Sequence, residues 1–391
     1  MINKDSVPLT WVEIDTKAIE HNIEQVRKLI ARNTFKVPGR SQKPLKLSDP
    51  QHMLAVVKAD AYGHGMIETA RVLAKKGVGY FGVAHFGEGI ALRKGGIRQP
   101  VLIFENTLKE FAPLVIKYDL TPTVCTHELA HALNNEAKRL NKSVKVHIKV
   151  DTGMGRLGIW HKDAFDFIEQ VHRFRHLIIH GIYTHFPCAD TDKAFTTAQI
   201  AQLTQLIKAC DQRGLVIPHI HASNSMGIAG YRTQILNLFR PGLMIYGLLP
   251  HPKLKASVKL KSVMSVHSRI IFIKSIEAGR GISYGRTFVA KKTMVVATVP
   301  IGYKDGYARA LSNKAQVLVG GLRCRVLGRV TMDQIVIDVT KVKPVELGMA
   351  VSVLGTQGRE TISADELAKH AGTINYEILC ALGKSLPRFY R

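Results

Sequence analysis

From residue 53 to about 245 the chain alternates short β-rich runs with helical stretches, and the runs number eight: "MLAVVK", "YFGVA", "PVLIF", "LTPTV", "VKVHIKV", "IIHGIYTH", "IPHIHAS" and "FRPGLMIYG". Eight βα units make a closed parallel barrel of the TIM type. The intervening segments read as helices; in "TAQIAQLTQLIKACDQRG", residues 197–214, Ile200, Leu203, Ile207 and Cys210 fall on one stripe and Gly214 terminates it. Ahead of the barrel, Ile19, Ile23, Val26 and Ile30 recur at helical intervals behind a cap at Asp15 or Thr16. Residues 34–51 carry three prolines and no periodicity, which reads as an exposed loop. After about residue 260 the texture changes to glycine-punctuated β-branched runs such as "MVVATVPIG", "CRVLGRV" and "AVSVLG". The expected fold is α/β, a barrel domain over 1–258 followed by a mostly β domain over 259–391, with "WVEID" in the first 15 or so residues a candidate to join the β domain.

Several function classes are disfavoured by composition. The formal charge of +25, from 55 Lys and Arg against 30 acidic residues, keeps anionic partners in view. Yet the bases are spread along the chain with no zinc finger, basic zipper or aromatic-interleaved basic run, so no nucleic-acid partner is expected. The five cysteines are odd in number and form no C-x-x-C, so neither a disulfide framework nor a thiolate metal site is suggested. No window approaches 18 uncharged apolar residues and the N-terminus lacks an apolar leader, which gives the expectation of a soluble, cytoplasmic protein with no membrane partner.

The chemistry starts at "AVVKADAYGHG", residues 55–65, where a lysine ends an apolar run. An amine set beside buried apolar groups loses hydration, which favours its neutral, nucleophilic form. In a βα barrel the active site lies at the C-terminal strand ends, and a phosphate often sits between the loops after strands seven and eight. Lys58 ends the first run, "DTGMGR" with Arg156 follows the fifth, His185 ends the sixth, "SNS" with Ser225 follows the seventh, and Arg240 and Gly242 lie in the eighth. Amides near Ser225 and Gly242, with the Ser225 hydroxyl, make an anion cradle. An amine for an aldehyde and amide donors for a phosphate are what pyridoxal 5'-phosphate requires.

These stretches, with "IKVDTGMGRLG", "GIYTHF", "FRPGLMIYG", "ISYGRTF", "VPIGYKDGY", "GRVTMDQ" and "TINYEIL", resemble the alanine racemase family in order across nearly the whole chain. The resemblance implies a pyridoxal-phosphate isomerase that interconverts L-alanine and D-alanine to supply D-alanine for peptidoglycan. It implies that Lys58 holds the cofactor, with Tyr62 and Tyr376 beside the phosphate, His185 against the ring, and Ser225, Gly242 and Leu243 on the phosphate. Arg240 would face the pyridine nitrogen; an arginine donates a hydrogen bond there without giving up its proton, which makes the ring a weaker electron sink. The two bases would be Lys58 on the D-alanine face and Tyr284 on the L-alanine face, the latter supplied by the partner of a homodimer with shared active sites. A phenol acting as a base near neutrality needs positive charge nearby, for which Arg156 and His185 are the sources. Arg156 and the backbone of Met332 would hold the substrate carboxylate, with Lys149 a candidate for carbamylation that orients Arg156. Asp190, Arg309 and Arg329 match a polar access corridor, and Tyr284 and Tyr376 narrow its inner end in favour of alanine. No metal is expected.

Each residue taken singly has a plainer reading: a solvated strand-end lysine, a satisfied core histidine, a helix-capping serine, a packing tyrosine. "HELAH" at 127–131 matches H-E-x-x-H, the pattern of a zinc protease, but lacks a third ligand at a recognisable spacing; "HIH" at 219–221 and "HRFRH" at 172–176 read equally as accidental pairs among 17 histidines. An amino-acid decarboxylase on a similar barrel would place an acid at the ring nitrogen, against Arg240, and a noncatalytic carrier has no need of a second base. Two positions depart from the family pattern, Asp60 in place of asparagine and Thr331 in place of cysteine.

Overall fold

The computed structural model describes residues 8–33, 52–231, 234–251, 254 and 258–391, so the loop expected at 34–51 lies outside the described residues. These residues divide into two compact units: a β unit of Met1–Lys17, Asp60–Gly65 and Ser262–Arg391, and a barrel unit of Ala18–Ala59 and Met66–Lys261.

Strand β1 (Trp11–Ile14) belongs to the β unit and leads into helix Thr16–Asn33. The barrel unit is a parallel sheet in the order β2 (Leu54–Val56), β3 (Tyr80–Val83), β4 (Val101–Asn106), β5 (Thr121–Val124), β6 (Val144–Asp151), β8 (Leu177–Tyr183) and β9 (His219–His221), with a two-residue β7 (Ile159–Trp160) on the side of β6. The eighth run does not form a full strand. Phe239 makes a single parallel bridge to Met53, and the ring closes through Leu54 N to Phe239 O (2.8 Å), Val56 N to Pro241 O (2.9 Å) and, on the other side, Arg240 N to Ser223 O (3.0 Å). Pro241 has no N–H to extend a ladder, so this position contributes carbonyls to its neighbour and little more.

Helices cover the sheet as the periodicity requires. Lys193–Gln212 buries Leu203, Leu206, Ile207 and Cys210 and starts a turn earlier than the apolar stripe indicates, because the Asp192 carboxylate caps Phe195 N at 2.9 Å. His127–Arg139, the helix of "HELAH", is capped by Thr126 and turns Leu129, Ala130, Leu133 and Ala137 inward. Its two histidines pack on Phe167 and Phe174, each at 4.7 Å between ring centroids, and Glu128 pairs with Lys109 at 2.6 Å. Among the described residues no cluster of three or more His, Cys, Asp or Glu is arranged to hold a metal ion, and no helix is long and apolar enough to cross a membrane.

The β unit is built on a ten-stranded sheet, almost wholly antiparallel, in the order Phe272–Ile276, Met294–Val299, Ile335–Asp338, Leu322–Leu327, Gln316–Val319, Ala350–Gln357, Met264–Arg269, β1 and Arg388–Tyr390, with Glu360–Ile362 beside Ala350–Gln357. β1 thus pairs antiparallel with Met264–Arg269 and parallel with the last strand. A two-strand ribbon, Gly281–Ile282 with Phe288–Val289, is pinned by the packing of Ile282, Ala290, Met294, Val296 and Leu327 and projects the loop that carries Tyr284.

Candidate active site

Lys58 follows β2 after one intervening residue, at the start of a helical turn, Lys58–Tyr62, of unusual hand: φ is +53° at Ala59, +52° at Asp60, +55° at Ala61 and +54° at Tyr62. A left-handed turn of L-residues costs roughly 1–2 kcal/mol per residue, so neighbours must hold it. In the barrel unit Glu88 accepts from Ala59 N at 2.7 Å and from Ala84 N at 2.8 Å. In the β unit His64 Nδ1 lies 2.9 Å from Ala61 O and 3.0 Å from Tyr62 O; both are carbonyls, so the imidazole donates to them. Asp60 pairs with Arg388 at 2.5 Å. Tyr62, its phenol pushed up by burial and then by Tyr376 and Cys380, packs on Tyr376 at 5.7 Å between ring centroids.

Strand β6 turns His147, Lys149 and Asp151 to one face, as alternation dictates. Lys149 is buried, its Nζ has no hydrogen-bond partner among the described residues, and it stands 4.8 Å over the Tyr183 ring. Burial first, then the positive Arg240, pushes its pKa down to about 7, against an opposing pull from Asp151. Asp151 gathers the following loop by accepting from Gly153 N (2.8 Å) and Gly155 N (3.0 Å). Gly158, at φ +123°, lies so close that a Cβ would sit 2.9 Å from Asp151 N and 3.0 Å from Lys149 O, so this turn requires glycine. Arg156, exposed on that loop, adds to the positive potential at both Lys149 and His185.

Arg240 is buried; its Nη1 donates to His221 Nδ1 (2.9 Å), and the two hydrogens of Nη2 are shared among Thr184 O (2.9 Å), Ala222 O (2.8 Å) and His185 Nδ1 (3.2 Å). None of these partners is a carboxylate. Burial pushes its pKa down to about 10, and burial followed by Arg240, Lys149, Arg156 and Lys58 drives that of His185 down to about 2. A neutral imidazole and a lone buried guanidinium therefore share the mouth with two amines. On the far side, Ser225 Oγ accepts from Gly242 N at 3.2 Å and Met244 N at 3.4 Å, and Leu243 is buried at the start of the turn Leu243–Tyr246. Hydroxyl and amides converge where the seventh and eighth loops meet, the donor set that a phosphate needs.

The remaining expected residues divide by unit. Asp190 is exposed in the barrel unit; Arg309, Arg329 and Met332 are exposed in the β unit. Tyr284 is 72% exposed on its loop, where Ser283 Oγ donates to Arg329 O at 2.7 Å and the Arg329 guanidinium lies against Gly285. Two residues beside Arg240, Tyr183 and His221, are not among the site residues expected from sequence. His221 stood in "HIH", set aside as accidental, yet its ring stacks on Tyr183 at 4.7 Å and 3°.

A barrel whose mouth gathers cations around an anion cradle, joined in one chain to a β unit that presents a tyrosine, defines a barrel protein with a site for an anionic group. The profile of the alanine racemase N-terminal domain matches residues 43–250 and that of the C-terminal domain residues 263–390. The chain is 40% identical over 391 residues to an alanine racemase from Halothermothrix orenii, covering 100% of this chain and 99% of the other. Its fold superposes on an alanine racemase of Clostridium difficile 630 with a TM-score of 0.89 at 33% identity, covering 98% of this chain and 96% of that one. It superposes on an alanine racemase from Bartonella henselae with covalently bound pyridoxal phosphate with a TM-score of 0.83 at 25% identity, covering 98% and 100%. The chain belongs to the alanine racemase family, and its activity is the interconversion of L-alanine and D-alanine.

Proposed function

We propose that the barrel mouth holds pyridoxal 5'-phosphate and that the racemisation is carried by two opposed bases. The observation that supports this most is the buried Arg240, a cation whose hydrogen-bond partners are two imidazoles and two carbonyls and include no carboxylate. The donor set fits the cofactor: Lys58 for the aldehyde, Arg240 for the pyridine nitrogen, Ser225, Gly242, Leu243, Tyr62 and Tyr376 for the phosphate, and His185 beside the ring. When bound, the cofactor supplies an electron sink that acidifies the Cα–H of alanine.

The protein's own groups do the rest. Lys58 exchanges the Cα proton on the D-alanine face and Tyr284 on the L-alanine face. Arg156, with the backbone at Met332, binds the substrate carboxylate, so that Cα stands between the two bases. Asp190, Arg309 and Arg329 line the access corridor, and Tyr376 limits the side chain to a methyl. Lys58 belongs to the barrel unit and Tyr284 to the β unit, and we take Tyr284 to serve the partner's barrel in a homodimer. Lys149, buried and with its pKa pushed down to about 7, is half neutral near physiological pH and suited to adding CO2 as a carbamate with release of a proton, which places an anion beside Arg156. The role we infer in the cell is the supply of D-alanine for peptidoglycan in the cytoplasm, in keeping with five cysteines that are all free thiols.

The test is the absorbance spectrum of the purified protein before and after borohydride, with peptide mapping and an L-to-D alanine assay. A yellow protein whose label maps to Lys58 is expected. A colourless protein that still racemises alanine removes the cofactor from the proposal.

A further inference from the structure

Below Arg240 the barrel interior carries a line of side chains that the proposed reaction leaves unused. Arg240 Nη1 lies 2.9 Å from His221 Nδ1, and His221 Nε2 lies 2.9 Å from His147 Nδ1. A guanidinium only donates, so His221 Nδ1 must accept; its proton is then on Nε2 and is donated to His147 Nδ1. By the same step the proton of His147 is on Nε2. Both rings are buried and uncharged. Burial first, followed by His219, His180 and Arg240, drives His147 well below the usual imidazole range; burial, then Arg240, His147, His219 and Lys149, does so for His221.

The line continues downward. Among the described residues neither His147 Nε2 nor His219 Nδ1 has a hydrogen-bond partner, and the two rings stack at 22° with centroids 6.2 Å apart. Gly181 stands in register with both residues, between them across the sheet. A Cβ there would lie 2.5 Å from His147 Nδ1, so the glycine leaves the space that the ring needs. At the lower end His219 Nε2 meets the Tyr80 hydroxyl at 2.7 Å.

We propose that Arg240, His221, His147, one buried water, His219 and Tyr80 form a single column of hydrogen bonds in which every donor points away from Arg240, with His147 the positioning residue that holds this polarity. The water accepts from His147 Nε2–H and donates to His219 Nδ1, and His219 Nε2–H donates to Tyr80; two polar partners in a closed space are what a buried water requires. A reversed column would set His221 Nδ1–H against the Arg240 N–H, two donors head to head. The column therefore fixes which way the guanidinium is held. Its effect on catalysis rests on the reading that Arg240 faces the cofactor nitrogen, whereas its tautomers do not.

The first experiment uses cofactor-free protein with 15N-labelled histidine and reads the imidazole nitrogens. We expect bare Nδ1 and protonated Nε2 at His147 and His221, unchanged from about pH 5.5 to about 8.5. An Nδ1–H form at either ring, or titration of either, overturns the column. The second compares His147→Gln, which can accept from His221 through Oε1, with His147→Leu, which cannot. The leucine variant should show mixed His221 tautomers and a kcat about tenfold lower with little change in KM, and glutamine should restore both. Equal loss in the two variants with an unaltered His221 tautomer makes His147 a packing residue only and overturns the proposal. Should the leucine variant fail to fold, the wild-type spectrum and the glutamine variant decide. A high-resolution crystal structure should show the water between His147 and His219, and a dry gap there is contrary evidence. Failure of the cofactor reading would show instead as a colourless protein with the tautomers intact.

Discussion

At the scale of single residues the site is governed by buried positive charge. Arg240 reaches four acceptors through Nη1 and Nη2, an arrangement that a lysine cannot reproduce, since an ammonium lacks the planar fork. Arg240→Lys is expected to leave buried acceptors unpaired and to lower stability by about 1–3 kcal/mol, measured by urea unfolding of the cofactor-free protein. Unchanged stability would mean that the guanidinium is not the anchor of this layer. Lys149 gives a second prediction. Because its amine is pushed down to about 7, protein equilibrated with 13C-bicarbonate should show a carbamate carbon resonance that is missing from Lys149→Ala. If the signal persists in the alanine variant, it belongs to another amine.

Among the elements, the left-handed turn after Lys58 decides where the amine stands. Ala59 is exposed at φ +53°, a conformation that glycine adopts without steric penalty, so Ala59→Gly should stabilise the protein by about 0.5–1 kcal/mol despite the greater freedom of its unfolded chain. In a right-handed helix the same change destabilises by a similar amount, so the sign of the shift in a denaturant titration is diagnostic. The converse holds at Gly158, where Gly158→Ala meets both a positive φ and backbone within 3.0 Å and should cost about 2 kcal/mol or more. The hand of the Lys58 turn was not legible in "KADAYGHG", since four successive non-glycine residues in this region oppose local preference. What holds them includes Glu88 and Arg388, far along the chain, as well as His64 within the same stretch. By contrast the barrel strands and the helix Lys193–Gln212 could be read directly, because burial of one face imposes a period that sequence displays.

For the whole molecule, two predictions follow from arrangement. Several histidines are buried in neutral form, with His64 and His219 held down at about 4, chiefly by burial, against an ordinary value of 6.5. Their folded values lie below their unfolded ones, so stability is complete above pH 6.5 and is lost as pH falls and the unfolded chain gains protons that the folded chain refuses. Each should contribute a loss of about 2 kcal/mol near pH 5, visible as a falling unfolding midpoint in acid; a flat profile would show the rings to be accessible to protons when folded. The proposed sharing of the site between subunits makes the other prediction: Lys58→Ala and Tyr284→Phe, each deficient alone, should on mixing and re-association recover roughly a quarter of wild-type activity through hybrid dimers with one intact site. No recovery despite hybrid formation would place both bases in one chain. The sequence by itself determined the alternation of strand and helix, the separate β texture after residue 260 and the strand-end positions of Lys58, Arg156, Ser225 and Arg240, since these follow from local periodicity and the order of the runs. Only the tertiary structure decided that the eighth strand shrinks to one bridge, that the lysine turn is left-handed, and that His221 and His147, three strands' worth of sequence apart, carry hydrogen bonds downward from Arg240. Such features depend on register and enclosure, which bring together groups that no local pattern relates.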